Sequence, residues 1–408
     1  MADNKDKKVL NVPALRFPEF SGEWEKLRLS DFATKITKKN KGNIVKNVLC
    51  NSANLGLVPQ GNYFDREIAN TENTDGYYVI CNGDFVYNPR KSTAAPFGPV
   101  NIYEGEDAGI ISPLYLCFSV HNIFPKFLYY RFKSSAWHSY VYSHGDSGVR
   151  FDRVSIKDDV FFDMPIYKPA QDEQIKIATL LQLIDERIST QNKIIEKYES
   201  LIQAICDTLI EQETQQVTLS FSDFGQSYSG LSGKSADDFG EGYPFITYMN
   251  VYQNQIIDLT DVGLVKINET EQQSVVRYGD ILLTLSSETP EEVGMGAVYL
   301  GETYPLYLNS FCFGIHITDE SKIYPPFLAY YVSSQSFRKA VYPLAQGSTR
   351  FNLQKSDFMK KKFSFPVIEK QHKIYSILKI YSDKLIVEKL IMRLLCNQKC
   401  YLLRQLFI

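Results

Sequence analysis

Apolar residues return at alternating steps of four and three along two separate stretches of the chain. In the first they are Ile177, Leu181, Ile184, Ile188, Ile195, Tyr198, Ile202, Ile205 and Leu209, with Gln191 the polar member of the series. The second series lies 197 residues on: Ile374, Leu378, Tyr381, Leu385, Met392, Leu395, Leu402 and Leu406, with Glu388 at the step of Gln191 and Lys399 near the end. Such alternation is the a/d seam of a coiled coil. Pro165 and Pro169 precede the first series, and Gln171-Asp172-Glu173-Gln174 opens it. Proline fits a helix start, where its missing N–H is not needed, and first-turn acids complement the helix dipole. The pattern predicts a helix over 171–211, roughly 60 Å long at about 1.5 Å per residue, and a second like it at the C-terminal end. A helix of that length with one apolar stripe needs a partner. Each follows its own globular stretch, so the expectation is an antiparallel pair; the alternative is that each packs on its own domain.

The stretches ahead of the helices carry strand patterning. Residues 77–88 and 111–120 are rich in aromatic and β-branched side chains, and so are 275–285 and 307–317, with Asn-Gly and Tyr-Gly-Asp turn signals between. Residues 125–142 and 325–342 predict helices with proline near the start. The loops 88–100 and 286–296 are free to vary and to bind.

These stretches are copies. Residues 124–151 align without a gap on 324–351 at an offset of 200. Nine of the 28 positions are identical: Pro125/Pro325, Phe127/Phe327, Leu128/Leu328, Tyr130/Tyr330, Ser134/Ser334, Val141/Val341, Tyr142/Tyr342, Arg150/Arg350 and Phe151/Phe351. A doubled unit presents two similar surfaces and suits a target with two halves, of which duplex DNA is the commonest.

Composition narrows the class. With 408 residues, 44% hydrophobic and 22% charged, the chain has room for two ordinary globular domains and connecting elements. No apolar run is long enough for a membrane span, and the charged N-terminus lacks the apolar core of a secretory signal. Seven cysteines without a Cys-x-x-Cys pair point to reduced thiols and a cytoplasmic location. The net charge of −3 argues against a uniformly basic surface, yet Lys26, Arg28, Lys35, Lys38, Lys39, Lys41 and Lys46 cluster with Asp31 alone opposing them.

Catalytic motifs fail on inspection. Gly230-Leu-Ser-Gly233-Lys234-Ser235 ends like a phosphate-binding loop, but Tyr228 stands where the first glycine belongs. Asn88-Pro89-Arg90 lacks the second proline and the aromatic of an amino-methyltransferase motif. The five histidines show no metal-ligand spacing, and no metal site is expected. The chain reads as one that binds and positions rather than catalyses.

Four segments, in this order and with the duplication, resemble the specificity subunit of type I restriction-modification systems. They are the entry segment Pro13-Ala-Leu-Arg-Phe-Pro-Glu-Phe-Ser-Gly-Glu-Trp24; Pro165-Ile-Tyr-Lys-Pro169-Ala-Gln-Asp-Glu173-Gln174; Leu231-Ser-Gly-Lys-Ser235 with Tyr248-Met-Asn250-Val; and the closing Tyr401-Leu-Leu-Arg-Gln-Leu-Phe407. The resemblance covers nearly the whole chain. It implies an α+β fold: two tandem mixed α/β target-recognition domains (1–165 and 216–365), each followed by a long helix (166–215 and 366–408). The two helices would form an antiparallel coiled coil with pseudo-two-fold symmetry. It further implies a non-catalytic, DNA-binding role in phage defence, each domain reading one half of a bipartite site on double-stranded DNA. Two methyltransferase subunits would dock on the helices and restriction subunits would join them. S-adenosylmethionine, ATP and magnesium would belong to those partners, with no cofactor in this chain. Lys399 in the second seam departs from the pattern and is expected either to weaken the far end of the coil or to mark where the helix leaves its partner.

Residues shared by the copies should serve fold, backbone contact or docking, and residues that differ in aligned loops should read bases. On that division Arg150 and Arg350 are candidates for phosphate or for bracing the helix junction. Lys38, Lys39, Arg90 and Lys91 in the first domain, and Tyr248, Asn250, Ser286, Ser287 and Thr349 in the second, are candidates for base reading. Two other readings stay open: a stand-alone methyltransferase or nuclease with an unrecognised site, and a coiled-coil scaffold with protein partners only.

Overall fold

The two periodic stretches fold as helices of 41 and 38 residues, Gln171–Glu211 and Ile368–Gln405. The computed structural model describes residues 10–62, 74–145 and 152–408. No seam position on either helix is exposed; each is buried or half-buried, including Gln191, Glu388 and Lys399. The chain divides into two units, residues 1–191 with 391–408 and residues 192–390, so the boundary falls within both long helices.

Within the first unit, the early seam residues Ile177 and Leu181 share a core with Leu403, Leu406 and Phe407 of the closing segment. Lys399 does not break this packing, because its ammonium forms an ion pair with Asp185 of the first long helix. Asp185 also accepts a hydrogen bond from the Tyr130 hydroxyl at 2.9 Å. Within the second unit, the late seam residue Ile202 shares a core with Ile374 and Leu378 from the start of the second long helix, with Ile205 and Leu209 packed against it.

Each unit is built on a four-stranded antiparallel sheet of the same connectivity. In the first the order is Ala33–Lys35, Leu116–Val120, Phe85–Tyr87, Val100–Ile102. In the second it is Gly225–Ser229, Cys312–Ile317, Ile281–Thr284, Gly296–Val298. The register is the same as well. Phe85 lies opposite Phe118 and Ile102, and Ala33 opposite Val120; Ile281 lies opposite Ile315 and Val298, and Gly225 opposite Ile317. A slip of one residue would turn every side chain to the other face, so matched registers mean matched cores. A two-stranded ribbon closes each unit, pairing Leu27 with Ile166 and Leu219 with Phe363.

The predicted strands are shorter than their patterns. Residues 77–88 split into Tyr78–Ile80 and Phe85–Tyr87 around Gly83, whose φ of +89° is a glycine conformation, while Asp84 takes the Cys81 N–H at 2.7 Å. In 275–285 only Ile281–Thr284 is strand: Asp280 takes the Arg277 N–H, and Gly279 has a φ of +85°. The other two segments are likewise cut, to Leu116–Val120 beside a Gly109–Ile111 strand and to Tyr307–Leu308 with Cys312–Ile317.

The helices predicted over 125–142 and 325–342 each break in two, as Pro125–Lys133 with His138–His144 and as Pro325–Tyr331 with Gln335–Val341. The break falls at the shared serine. Ser134 Oγ donates to the Arg131 carbonyl at 2.7 Å and Ser334 Oγ to that of Tyr331 at 2.7 Å, and Ser334 also caps the next helix by accepting from the Phe337 N–H.

A buried glutamine ties each hairpin to its long helix. Gln174 accepts the Phe124 N–H at 2.8 Å and donates to the Pro169 carbonyl at 2.8 Å. Gln371 does the same with Tyr324 and Pro366, at 2.9 and 2.8 Å. These glutamines satisfy backbone groups that the proline-led entries leave open.

Candidate nucleic-acid interface

Each unit carries a cleft over the loop that leaves the central sheet strand. In the first unit that loop follows Phe85–Tyr87 and bears Arg90 and Lys91, both exposed. It is held against the segment after the helical hairpin: Arg90 bridges Arg153, and the Lys91 N–H donates to the Asp152 carbonyl at 2.8 Å. In the second unit the loop follows Ile281–Thr284 and bears Ser286 and Ser287, which pair with Asn352 and Phe351. The two loops occupy equivalent places in the two four-stranded sheets.

The first cleft, about 430 Å³, is lined by Asn51, Gln60, Asn88, Arg90, Lys91 and Tyr115 among others. Its amides are largely spent on structure. Asn51 donates to the Val86 carbonyl at 2.9 Å and accepts from Asn101 at 2.6 Å, and Asn88 Oδ1 accepts the Arg90 N–H at 3.0 Å. Arg90 and Lys91 are the cations of this lining, and burial raises the Tyr115 hydroxyl while Arg153 and Arg90 oppose that rise.

The second cleft, about 310 Å³, is lined by Tyr248, Met249, Tyr252, Ser286, Ser287, Glu288, Glu292, Phe311 and Arg350. Phe311 precedes the Cys312–Ile317 strand as Tyr115 precedes Leu116–Val120. Tyr248 and Tyr252 stack at 6.0 Å between ring centroids, and the Tyr248 hydroxyl donates to the Ser286 carbonyl at 2.7 Å. Glu292 accepts from Tyr252 at 2.7 Å, from Thr289 at 2.9 Å and from Ser287 at 3.1 Å. Those hydrogen bonds, that of Tyr252 foremost, hold its carboxyl below the usual range. The same contact is the chief reason the Tyr252 hydroxyl is pushed up to about 12. Arg338 braces the loop from beneath, donating to the carbonyls of Glu291, Val293 and Gly294 at 2.6, 2.7 and 2.7 Å.

The structure thus gathers Arg90 with Lys91, and Tyr248 with Ser286, Ser287 and Arg350. Thr349 is exposed beside Arg350, although it does not line the cleft. Lys38 and Lys39 are exposed next to the Tyr78–Ile80 strand, where the Lys38 carbonyl accepts the Val79 N–H and Lys39 bridges Tyr78; they stand outside the first cleft. Asn250 is wholly buried. Its carboxamide donates to the Asp258 and Asp261 carbonyls at 2.7 and 2.6 Å and accepts the Asp258 N–H at 3.0 Å, so it holds a turn and does not face the cleft. Arg150 lies outside the described residues. Lys234, in the phosphate-loop-like segment, is paired with Glu271 at 2.5 Å and its side chain is buried.

Sequence reasoning passed over Glu292, Tyr252, Phe311 and Arg153. The available signal was positional, since Glu292 sits in the 286–296 loop already marked as free to bind. Among the described residues no group of three or more His, Cys, Asp or Glu side chains gathers to hold a metal, and no helix is long and apolar enough to cross a membrane.

Comparison with known proteins places this geometry. No curated protein matches the chain. A chain from a structure described as the structural basis underlying complex assembly and conformational transition of the type I R-M system is similar in fold, with a TM-score of 0.59 and 14% identity over 93% of this chain and 96% of that one. The S subunit of a type I restriction-modification system from M. genitalium is similar with a TM-score of 0.53 and 16% identity, over 97% of this chain and 99% of that one. Residues 220–394 match the family described as type I restriction modification DNA specificity domain. Residues 220–394 are accordingly a type I restriction modification DNA specificity domain, and the chain as a whole is similar in fold to an S subunit.

Proposed function

We propose that this chain is the DNA-reading subunit of a type I restriction-modification complex, each unit reading one half of a bipartite duplex site through its cleft. The observation that carries the reading is the pair of clefts at equivalent positions of two sheets with the same connectivity and register, lined by different side chains. Equivalent placement suits two similar reading heads, and different linings suit two different half-sites. The buried seams support an antiparallel coiled coil. In one unit the early part of the first long helix packs with the end of the second, and in the other unit the late part packs with its beginning. On this reading the helices set the gap between half-sites and dock two methyltransferase subunits. Methyl transfer with S-adenosylmethionine, and ATP- and magnesium-dependent cleavage, are the work of partner subunits in the cytoplasm.

Two measurements test it. Complexes of the full chain with its methyltransferase subunit should bind duplex DNA with an affinity that falls steeply with salt. Mapping of methylated positions in cells expressing both should return one motif in two parts. Salt-independent or absent DNA affinity would favour a protein scaffold, and methyl transfer or cleavage by the purified chain alone would favour an enzyme.

A further inference from the structure

The two clefts have opposite chemistry. In the first, the described lining residues include Arg90 and Lys91 and no carboxylate. In the second, Glu288 and Glu292 stand against the single guanidinium of Arg350. Two carboxylates facing one cation make a poor seat for a phosphate, whose own charge they repel. A favourable use of a carboxylate at a DNA surface is to accept hydrogen bonds from base amino groups in the major groove.

Glu292 is built for that use. Hydrogen bonds from Tyr252, Thr289 and Ser287 fix its orientation, and Arg338 fixes the loop that bears it. Thr289 and Ser287 both donate to Oε2, while Oε1 takes Tyr252 alone and keeps acceptor capacity, because a carboxylate offers about four lone-pair sites, two on each oxygen. Tyr248 and Phe311 flank the opening with apolar ring surface.

Resting on the function proposed above, we propose that Glu292 is a specificity-determining residue of the second unit, accepting a hydrogen bond from an exocyclic amino group, cytosine N4 or adenine N6. The first cleft is its complement. There Arg90 and Lys91 donate to the acceptor edge of guanine, O6 and N7. The two half-sites are thus told apart by the direction of the hydrogen bonds each cleft demands, acceptor in one and donor in the other.

The test uses the full chain in complex with its methyltransferase subunit, on duplexes carrying the mapped motif. Adenines are replaced one at a time by purine and cytosines by pyrimidin-2-one, each lacking the amino group. Wild-type complex should lose roughly tenfold or more in affinity at one position of one half-site, and E292M should be indifferent to that same replacement while reading the other half-site unchanged. Equal loss in wild type and E292M overturns the proposal, as does loss by E292M on both half-sites together. Should E292M not fold, the wild-type scan decides alone: the absence of an amino-sensitive position in either half-site overturns it. Failure to recover any two-part motif overturns the functional reading itself, a distinct result.

Discussion

Arg16 grips Glu173 with two of its guanidinium nitrogens, Nε to Oε1 and Nη2 to Oε2, each at 2.8 Å, and the carboxylate is almost wholly buried. Trp24 Nε1 adds a third donor at 3.3 Å. The second unit makes the same tie with its charges exchanged, since Lys370, 197 residues beyond Glu173, pairs with Glu213 at 2.9 Å. In both, a residue from the incoming chain fastens the first turn of a long helix. The forked guanidinium suits the buried carboxylate in a way that a lysine would not.

Replacing Arg16 by alanine should therefore destabilise the first unit by about 2 kcal/mol, because it leaves a buried carboxylate short of donors. Glu213→Ala should have a smaller effect, its pair being more open to solvent. Urea unfolding of the two variants beside wild type measures both; equal losses would contradict the geometry.

The seam makes a contrast within one turn of helix. Leu181 is fully buried and Leu183 is 54% exposed. Leu181→Ala should cost about 3 kcal/mol through lost burial and a residual cavity, and Leu183→Ala less than about 0.5 kcal/mol. Thermal unfolding separates the two.

Lys133 lends the first unit a pH dependence. Burial, with Lys399 nearby, pushes its ammonium down to about 8. Between about pH 8 and the unfolded value near 10.4 the unfolded chain binds a proton that the folded chain has released, so stability attributable to this group rises with pH there. Lys133→Met should remove that rise, which unfolding curves at pH 7.5 and about pH 10 would reveal as a change in slope against wild type.

Deleting one matched heptad, residues 188–194 together with 385–391, preserves both seams while shortening each helix by about 10 Å. Methylation mapping should then return the same two half-sites with the gap reduced by up to roughly three base pairs. An unchanged gap would show that the helices do not set it.

What could be read beforehand depended on how local the physics was. The seam was legible because a period of 3.5 residues shows in the residues themselves, and even Gln191, Glu388 and Lys399 proved to be buried or half-buried members of it. The ends of strands were not, because aromatic patterning runs through the tight turns at Gly83 and Gly279 that interrupt it. The helical hairpins were read as single helices because the breaks rest on one hydroxyl each, in Ser134 and Ser334, and the identity of the two serines did not say why they were shared. Arg90, Lys91, Ser286, Ser287 and Arg350 were placed by comparing copies. Glu292 was passed over because the search sought cations, hydroxyls, amides and aromatic rings and no carboxylate, and Asn250 drew notice because burial of an amide leaves no trace in sequence.

The matched registers carry one more consequence. Leu27 answers to Leu219 at a spacing of 192, Phe85 to Ile281 at 196, Tyr130 to Tyr330 at 200, and Ile177 to Ile374 at 197. From Gln174 and Gln371 to Leu209 and Leu406 that last spacing never changes. Residues have been gained and lost between the sheet strands and around the hairpin, and none along the seam. The molecule thus holds its own insertion record, marking where a peptide tag could be spliced without disturbing the fold and where a single added residue would throw a whole helix out of phase.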